Sequence, residues 1–314
     1  MAVHEQAARA AHEVKVAAPA QQVYRLLADL DNWPWMFRPF VHVELLGTEG
    51  DFERVGMWTT TGDEVGHWIA LRRLDEARLR IDFRPQTPEA PLATMQRTWV
   101  VEPLSERECT VRLLHRYTLT EDDPAAREAT DHVIDTIAGA ETEAVRTAAE
   151  LANETPELLV TVTDTVDIEA RAGEVYRTLY DVRAWPRILT HVARAKTLQD
   201  AEGLQLVEID TVEAAGGLLA MRTARVGRPA HTIAYKQLVL PPIGSSHHVR
   251  WHIAPTPKGA RVTSEQTAVI DRDGVERMLG QGNSTAEATS FVRRELSAKA
   301  RLLLGGVKEH LETR

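Results

Sequence analysis

The segment VYRLLADLDNWPW near the start of the chain returns in altered form as VYRTLYDVRAWPR, and no other feature constrains the fold as strongly. Tyr24 matches Tyr176, Asp29 matches Asp181, Trp33 matches Trp185 and Pro34 matches Pro186, always 152 positions apart. Trp99 and Pro103 recur as Trp251 and Pro255 at the same offset, so whole domains are repeated rather than one motif. A chain of 314 residues accommodates two such copies, each long enough to bury its own core. The expected division is a first domain over 1–152, a polar linker over 153–157 and a second domain over 158–314. Pro156 marks the linker, because proline disfavours helix in the residue before it.

Each copy reads as α+β. In the first, HEVKVAA alternates as a strand does, and Pro19 opens a short helix carrying Val23, Tyr24, Leu26 and Leu27. A second short helix is expected over Asp29 to Phe37. Strand-like runs follow near 40–47, 53–60, 64–74, 77–84, 95–102 and 110–119, punctuated by Gly47, Gly50, Gly62 and the segment RPQTPEAP. A long helix from Pro124 to Ala152 closes the copy, with Val133, Ile137, Ala140, Ala144, Ala148 and Leu151 as its expected buried stripe. The second copy repeats the plan: a strand at 158–169, short helices at 172–190, strands to about 270 and a long helix at 284–312. In that helix Val292, Leu296, Ala300, Leu303, Val307 and Leu311 form the stripe. The arrangement implied is a curved antiparallel sheet around one long helix, enclosing a cavity with loops RPQTPEAP and LPPIGSSH at the two mouths.

Composition narrows the function. A hydrophobic share of 43% and a charged share of 26% are those of a globular protein. The N-terminal segment lacks the apolar core of a signal peptide, and no run approaches the roughly 20 apolar residues of a membrane span, so a cytoplasmic location is expected. A single cysteine, Cys109, excludes intrachain disulfides and thiolate metal clusters. With a net charge of −9, neither nucleic acid nor an anionic membrane is the expected partner. The chain has no GxSxG, phosphate-binding loop, GxGxxG after a strand or HExxH, so no cofactor and no metal are expected. A small uncharged ligand in the cavity fits better.

Seven tryptophans, five of them in the first copy, supply either core or flat cavity walls for a planar ligand. Trp33, Trp68, Trp99, Trp185 and Trp251 are the candidate wall residues. In the run HWIALRRL, neighbouring side chains of a strand face opposite ways. Arg72 shares its parity with Trp68 and Ala70 and is expected to face inward, and Arg73 outward. A buried arginine keeps its charge and needs an acceptor or an anionic ligand group. Carrying the 152-residue offset through the second copy places Arg222 inward at the position of Ala70, Ala224 at that of Arg72, and Arg225 outward at that of Arg73. His115, matched by Gln266, and His247, matched by Met95, are candidate acid–base groups, with His191 a weaker one.

Taken together, the paired NWP-type hinges, the WIALRR strand, the FRP…ATMQRTW and YKQLVLPP segments and the terminal long helices resemble the two-domain aromatase/cyclases of bacterial type II polyketide synthases. Each half is similar to the helix-grip fold of the START and Bet v 1 superfamily. The resemblance implies tandem helix-grip domains that act without a cofactor on a poly-β-ketone carried by an acyl carrier protein, alongside other synthase components. It implies closure of the first ring by an intramolecular aldol reaction of C7–C12 type, or dehydration and aromatisation of that ring. Carried over residue by residue, it puts a pocket arginine at Arg72 and an aromatic hinge at Trp33. The family's pocket tyrosine falls on Phe40 and its pocket serine on Ala70, so the first copy lacks two hydroxyls. The catalytic set is then Arg72, His115, Arg222 and His247. The competing reading is a non-catalytic carrier of lipids or other hydrophobic ligands.

Overall fold

Alternation and helical periodicity produce fourteen strands and seven helices in a computed structural model that describes residues 7–121, 123–212, 216–280 and 284–313. In the first half, β1 (Ala8–Val16) is followed by α1 (Ala20–Ala28), which starts behind extended Pro19, and by α2 (Trp33–Met36), whose Pro34 sits in the first turn where its missing N–H costs nothing. Then come β2 (Phe40–Glu49), β3 (Phe52–Thr61), β4 (Glu64–Asp75), β5 (Arg80–Pro85), β6 (Leu92–Pro103) and β7 (Cys109–Leu119). The long helix α3 (Pro124–Glu154) has Asp123 as its N-cap and extends through Asn153 and Glu154, so the first two residues of the expected linker belong to it. The sheet order is β1-β7-β6-β5-β4-β3-β2, with β1 closing back onto β7.

The second half has β8 (Leu159–Ile168), α4 (Ala172–Tyr180), α5 (Trp185–Ile188), β9 (Val192–Ala201), β10 (Leu204–Val212), β11 (Leu218–Arg228), β12 (Thr232–Gln237), β13 (Gly244–Thr256) and β14 (Gly259–Ile270). A helix absent from the sequence reading, α6 (Arg272–Leu279), precedes α7 (Thr285–Glu312). A reciprocal capping box between Ser284 and Glu287 starts α7. The order β8-β14-β13-β12-β11-β10-β9 repeats the first sheet. By contacts the chain forms two units. The second holds Glu157–Arg314 together with Arg38–His42 and Trp58–Gly66, and the first holds the remainder.

Each helix buries one face against its own sheet. In α7 the buried positions Val292, Ala300 and Val307 belong to the expected stripe. In α3 the stripe is displaced: Ile134, Ala138, Glu141, Thr142, Val145, Ala148 and Ala149 are buried, while Val133 and Ile137 are about half exposed. The reason is that the inward face carries polar groups, Glu141 and Thr142, which a search for apolar periodicity passes over. No described helix is long and apolar enough to cross a membrane.

Candidate active sites in the two interiors

In the first domain the interior wall is aromatic. Trp33, from α2, donates its indole N–H to the Leu27 carbonyl at 2.9 Å. Its ring meets Phe37 at 5.3 Å and Phe83 at 5.2 Å, and Phe37 meets Trp99 at 6.3 Å. Arg72 is buried at 4% exposure, and Arg73 turns outward to pair with Asp82 at 2.9 Å, as strand parity requires. The Arg72 guanidinium donates through Nε and Nη2 to Glu53, at 2.8 and 2.7 Å, and through Nη1 to the carbonyl of Ala28 at 2.7 Å. Ala28 is the last residue of α1, so the cation also faces the negative end of a helix. Burial lowers the Arg72 pKa, opposed by Glu53.

A second interior cluster escaped the sequence reading. Arg97, two residues from Trp99 on β6 and therefore on the same face, pairs with Glu141 of α3 and donates through Nε to His115 Nε2 at 3.2 Å. Burial and the Arg97 charge push His115 down to about 3, so the ring is neutral at pH 7 rather than titrating there. With Nε2 accepting from Arg97, the hydrogen-bond network puts the proton on Nδ1, which has no partner among the described residues. Burial raises Glu141, opposed by Arg97. The parity shared with Trp99 was the available signal for Arg97. For Glu141 there was none, because a glutamate in a long helix reads as solvent-facing. Of the other expected wall residues, Ala70 is buried, while Met95 and Trp68 lie on the interior parity and keep some exposure. Phe40 is buried but groups by contact with the second unit.

The second domain corrects the expected placement of its arginines. Arg225, expected outward, is the inward one at 1% exposure. It donates through Nη1 to Gln205 Oε1 at 3.0 Å and to the Tyr180 carbonyl at 3.3 Å, and through Nη2 to the Leu179 carbonyl at 2.7 Å. Arg222 lies on the opposite strand face and pairs with Asp63, a residue of the same contact unit, at 2.9 Å. The cause is a change of register. Glu53 and Ala28 match Gln205 and Tyr180 at the 152-residue offset, yet Arg72 follows Glu53 by 19 positions and Arg225 follows Gln205 by 20. One extra residue between β10 and β11 rotates every β11 side chain to the other face. One residue fewer follows before β12: Arg72 pairs with Phe83, and Arg225 with Tyr235. The offset then returns to 152, as Ile81–Trp99 and Ile233–Trp251 show. Thr223, Arg225 and Gly227 therefore face inward where Ala70, Arg72 and Leu74 do in the first domain, and Ala224 does not replace Arg72.

Aromatic rings surround Arg225, with Trp185 at 5.2 Å and Tyr180 at 5.9 Å. Tyr235 meets Trp251 edge-on at 5.2 Å. Burial lowers Arg225 to about 10, which leaves it charged at neutral pH. Further along the wall, His247 faces Gln237 Oε1 with Nδ1 at 2.9 Å and Gln266 Oε1 with Nε2 at 3.2 Å. Both amides are fixed by their NH2 groups, which donate to the Val239 and Leu296 carbonyls. Burial pushes His247 down to about 4, against the Gln266 hydrogen bond. A neutral ring satisfies only one of its two amide acceptors. The expected match of His115 with Gln266 holds in register: His115 pairs with Arg97, and Gln266 with Val249. His191, lowered by burial, lies just before β9.

The comparisons with known proteins agree with this duplicated architecture. The family model described as "Polyketide cyclase / dehydrase and lipid transport" matches residues 7–150 and again 160–312. A granaticin polyketide synthase bifunctional cyclase/dehydratase from Streptomyces violaceoruber is 34% identical over 286 residues, covering 91% of this chain and 88% of the relative. An actinorhodin polyketide synthase bifunctional cyclase/dehydratase from Streptomyces coelicolor is 31% identical, covering 94% of both chains. Among solved structures, the di-domain aromatase/cyclase BexL of the BE-7585A biosynthetic pathway superposes with a TM-score of 0.93 at 38% identity, covering 98% of this chain and 99% of its own. The di-domain StfQ of the steffimycin pathway gives 0.85 at 30% identity, covering 97% and 99%. Two helix-grip repeats, each with an inward arginine at the end of its first helix, thus belong to the polyketide cyclase/dehydrase family, and the chain is a two-domain aromatase/cyclase of the type II polyketide synthase kind.

Proposed function

We propose that the chain acts on an acyl-carrier-protein-bound poly-β-ketone, closes its first ring by an aldol reaction of C7–C12 type, and dehydrates that ring to an aromatic one. The observation that carries this reading is the pair of aromatic-walled interiors, each with one buried guanidinium held by the same helix end. A methylene between two ketones is acidic already. The protein's task is to fold the chain so that one enolate carbon meets one carbonyl carbon, and to stabilise the oxygen that takes up charge. Positioning alone supplies roughly 7–11 kcal/mol in favourable cases, and one fixed donor to a developing oxyanion roughly 3–4 kcal/mol.

In this reading the flat faces of Trp33, Phe83 and Trp99, and of Trp185, Tyr235 and Trp251, hold the chain in a planar fold. A guanidinium has five N–H donors, and Arg72 uses three of them in the hydrogen bonds described. The remaining two can polarise a ketone. His115, whose Nε2 is taken up by Arg97, acts through Nδ1–H as a donor to an oxyanion rather than as a base. In the second domain Arg225 takes the role that the 152-residue offset gives to Arg222, with His247 further along the same wall. The enolate carbon forms the new C–C bond and the attacked carbonyl oxygen takes up a proton to become a hydroxyl; the former enolate carbon then gives up its remaining hydrogen as a proton, the hydroxyl receives a second proton and leaves as water, and the two carbons are left joined by a double bond.

The test is reconstitution with a ketosynthase pair and carrier protein, with and without ketoreductase. Arg72→Gln and Arg225→Gln are each expected to redistribute product toward spontaneously cyclised compounds, and Arg222→Gln to leave the distribution unchanged. A product profile indifferent to the chain itself would instead identify a carrier of hydrophobic ligands.

A further inference from the structure

The two interiors differ in their balance of charge. In the first domain both inward guanidinium groups have carboxylates: Arg72 with Glu53, and Arg97 with Glu141. In the second domain position 53 is occupied by Gln205, and position 97 by Val249. Arg225 makes no direct ion pair among the described residues; its acceptors are one amide oxygen and two backbone carbonyls, and the Asp200 carboxylate, which favours its charged form, stands behind Gln205, whose amide donates to it at 3.3 Å. A buried cation with no carboxylate in direct contact is costly unless an anionic group reaches it. The neighbouring wall has changed in the same direction. Thr223, two residues from Arg225 on the same face, and Ser264, paired with Trp251, are 5% and 0% exposed, and neither hydroxyl has a partner among the described residues. The first domain has Ala70 and Leu113 at those places. Phe83 likewise becomes Tyr235.

We propose that the second domain binds its ligand as an oxyanion, an enolate or phenolate oxygen held against Arg225 with the Thr223 hydroxyl as a further donor, while the first domain binds the neutral ketone form. The inference rests on the aromatase/cyclase reading for the kind of molecule that enters. Its physics requires only a guanidinium with no carboxylate in direct contact, beside an unpaired hydroxyl donor. The residue that sets the difference is the partner of the arginine, Glu53 in one domain and Gln205 in the other.

The experiment titrates alizarin, a hydroxyanthraquinone whose phenolate absorbs at longer wavelength than the phenol, bound to the full chain, with unsubstituted anthraquinone as the neutral control. Binding to the unaltered protein is expected to lower the apparent phenol pKa by at least one unit, a tenfold or greater preference for phenolate. Gln205→Glu, which gives Arg225 the counter-ion that Arg72 already has, should abolish that preference and leave anthraquinone binding unchanged. Arg225→Gln should abolish the phenolate shift in whatever ligand stays bound, and Glu53→Gln should create a second phenolate site. The proposal is overturned if alizarin shows no shift or does not bind, or if Gln205→Glu keeps the shift. The readout is independent of ring closure. A phenolate shift in a protein that leaves reconstituted products unchanged upholds the oxyanion site and defeats the cyclase reading; altered products without a shift do the reverse.

Discussion

Arg72 and Arg225 hold the same place in the two domains and do different electrostatic work. Both reach the C-terminal carbonyls of the first helix of their repeat, Ala28 in one case and Leu179 and Tyr180 in the other. Both therefore complete the helix end and fix the hinge that carries Trp33 or Trp185. The first is neutralised by a carboxylate and the second is not. A duplicated fold has kept the scaffold function of the arginine and altered its charge environment through a single neighbour.

The largest expected effect follows from that difference. Arg72→Met leaves Glu53, 29% exposed, as an unpaired carboxylate beside the core, and breaking such a pair costs about 3–5 kcal/mol when both ions are buried. Partial exposure of Glu53 puts the expectation at the lower end, about 3 kcal/mol. Arg225→Met orphans only neutral acceptors and removes a charge that has no carboxylate in direct contact, so a loss of about 1–2 kcal/mol is expected. Hydrogen exchange read separately on peptides of each domain measures both. Equal losses would mean that the Glu53 pair does not distinguish the domains.

The second effect depends on pH. His115 in the first domain is held down to about 3 by burial and Arg97, and His247 in the second to about 4 by burial. Unfolded histidine titrates near 6.5. Between those values the unfolded chain binds a proton that the folded chain does not, so stability rises with pH through this window and is lost as pH falls. Each group contributes a slope of about 1.4 kcal/mol per pH unit at most. His115→Gln, which installs the residue type that Gln266 presents at the equivalent place, should flatten the acid limb of the first domain only. Denaturant midpoints recorded from pH 7 to pH 4 decide it, and a slope unchanged by the substitution would mean that His115 is not held neutral.

How far the sequence anticipates these features depends on what each feature is made of. The duplication, the strand positions within a few residues and the inward parity of Arg72 follow from periodicity, because alternation is a property of the chain itself. Arg225 was misplaced because a one-residue change in the segment before β11 leaves no mark in composition, yet inverts the whole strand. The constant offset on either side of that strand concealed the local slip. Glu141 and the displaced face of α3 were missed for a related reason: a charged side chain counts as outward until its partner, Arg97, is placed in three dimensions.

A smaller effect tests the packing that accompanies Arg225. A Cβ on Gly227 would collide with the Tyr176 hydroxyl and with the Tyr180 ring, which stack on each other at 5.6 Å. The first domain has Leu74 at the matching place, 39% exposed, and no such stack. Gly227→Ala should therefore cost the second domain about 1–3 kcal/mol through forced displacement of the pair, and weaken the ring contact over Arg225. Leu74→Ala should cost far less. Thermal unfolding of both variants separates them, and comparable losses would remove the claim that the two arginine sites are packed differently.

The smallest effect concerns the helix that backs the first interior. Apolar spacing alone assigns Val133 and Ile137 to the buried face, whereas in the fold they are 53% and 49% exposed and the neighbouring Ile134 is 6% exposed. A half-exposed side chain has already kept much of its surface in water, so Val133→Gln and Ile137→Gln should each change stability by no more than about 0.5 kcal/mol, as ordinary surface substitutions do. Ile134→Ala should cost about 2–4 kcal/mol, because it removes a packed side chain whose space the surrounding wall cannot fully close. The equivalent contrast in the second domain uses Leu302, 53% exposed, against Leu304, 0% exposed. Denaturant unfolding of these variants determines whether both helices present the same face to their sheets. If Ile137→Gln proved as costly as Ile134→Ala, α3 would be turned relative to α7, and the residue-by-residue comparison of the two walls would have to be redrawn from Glu141 outward.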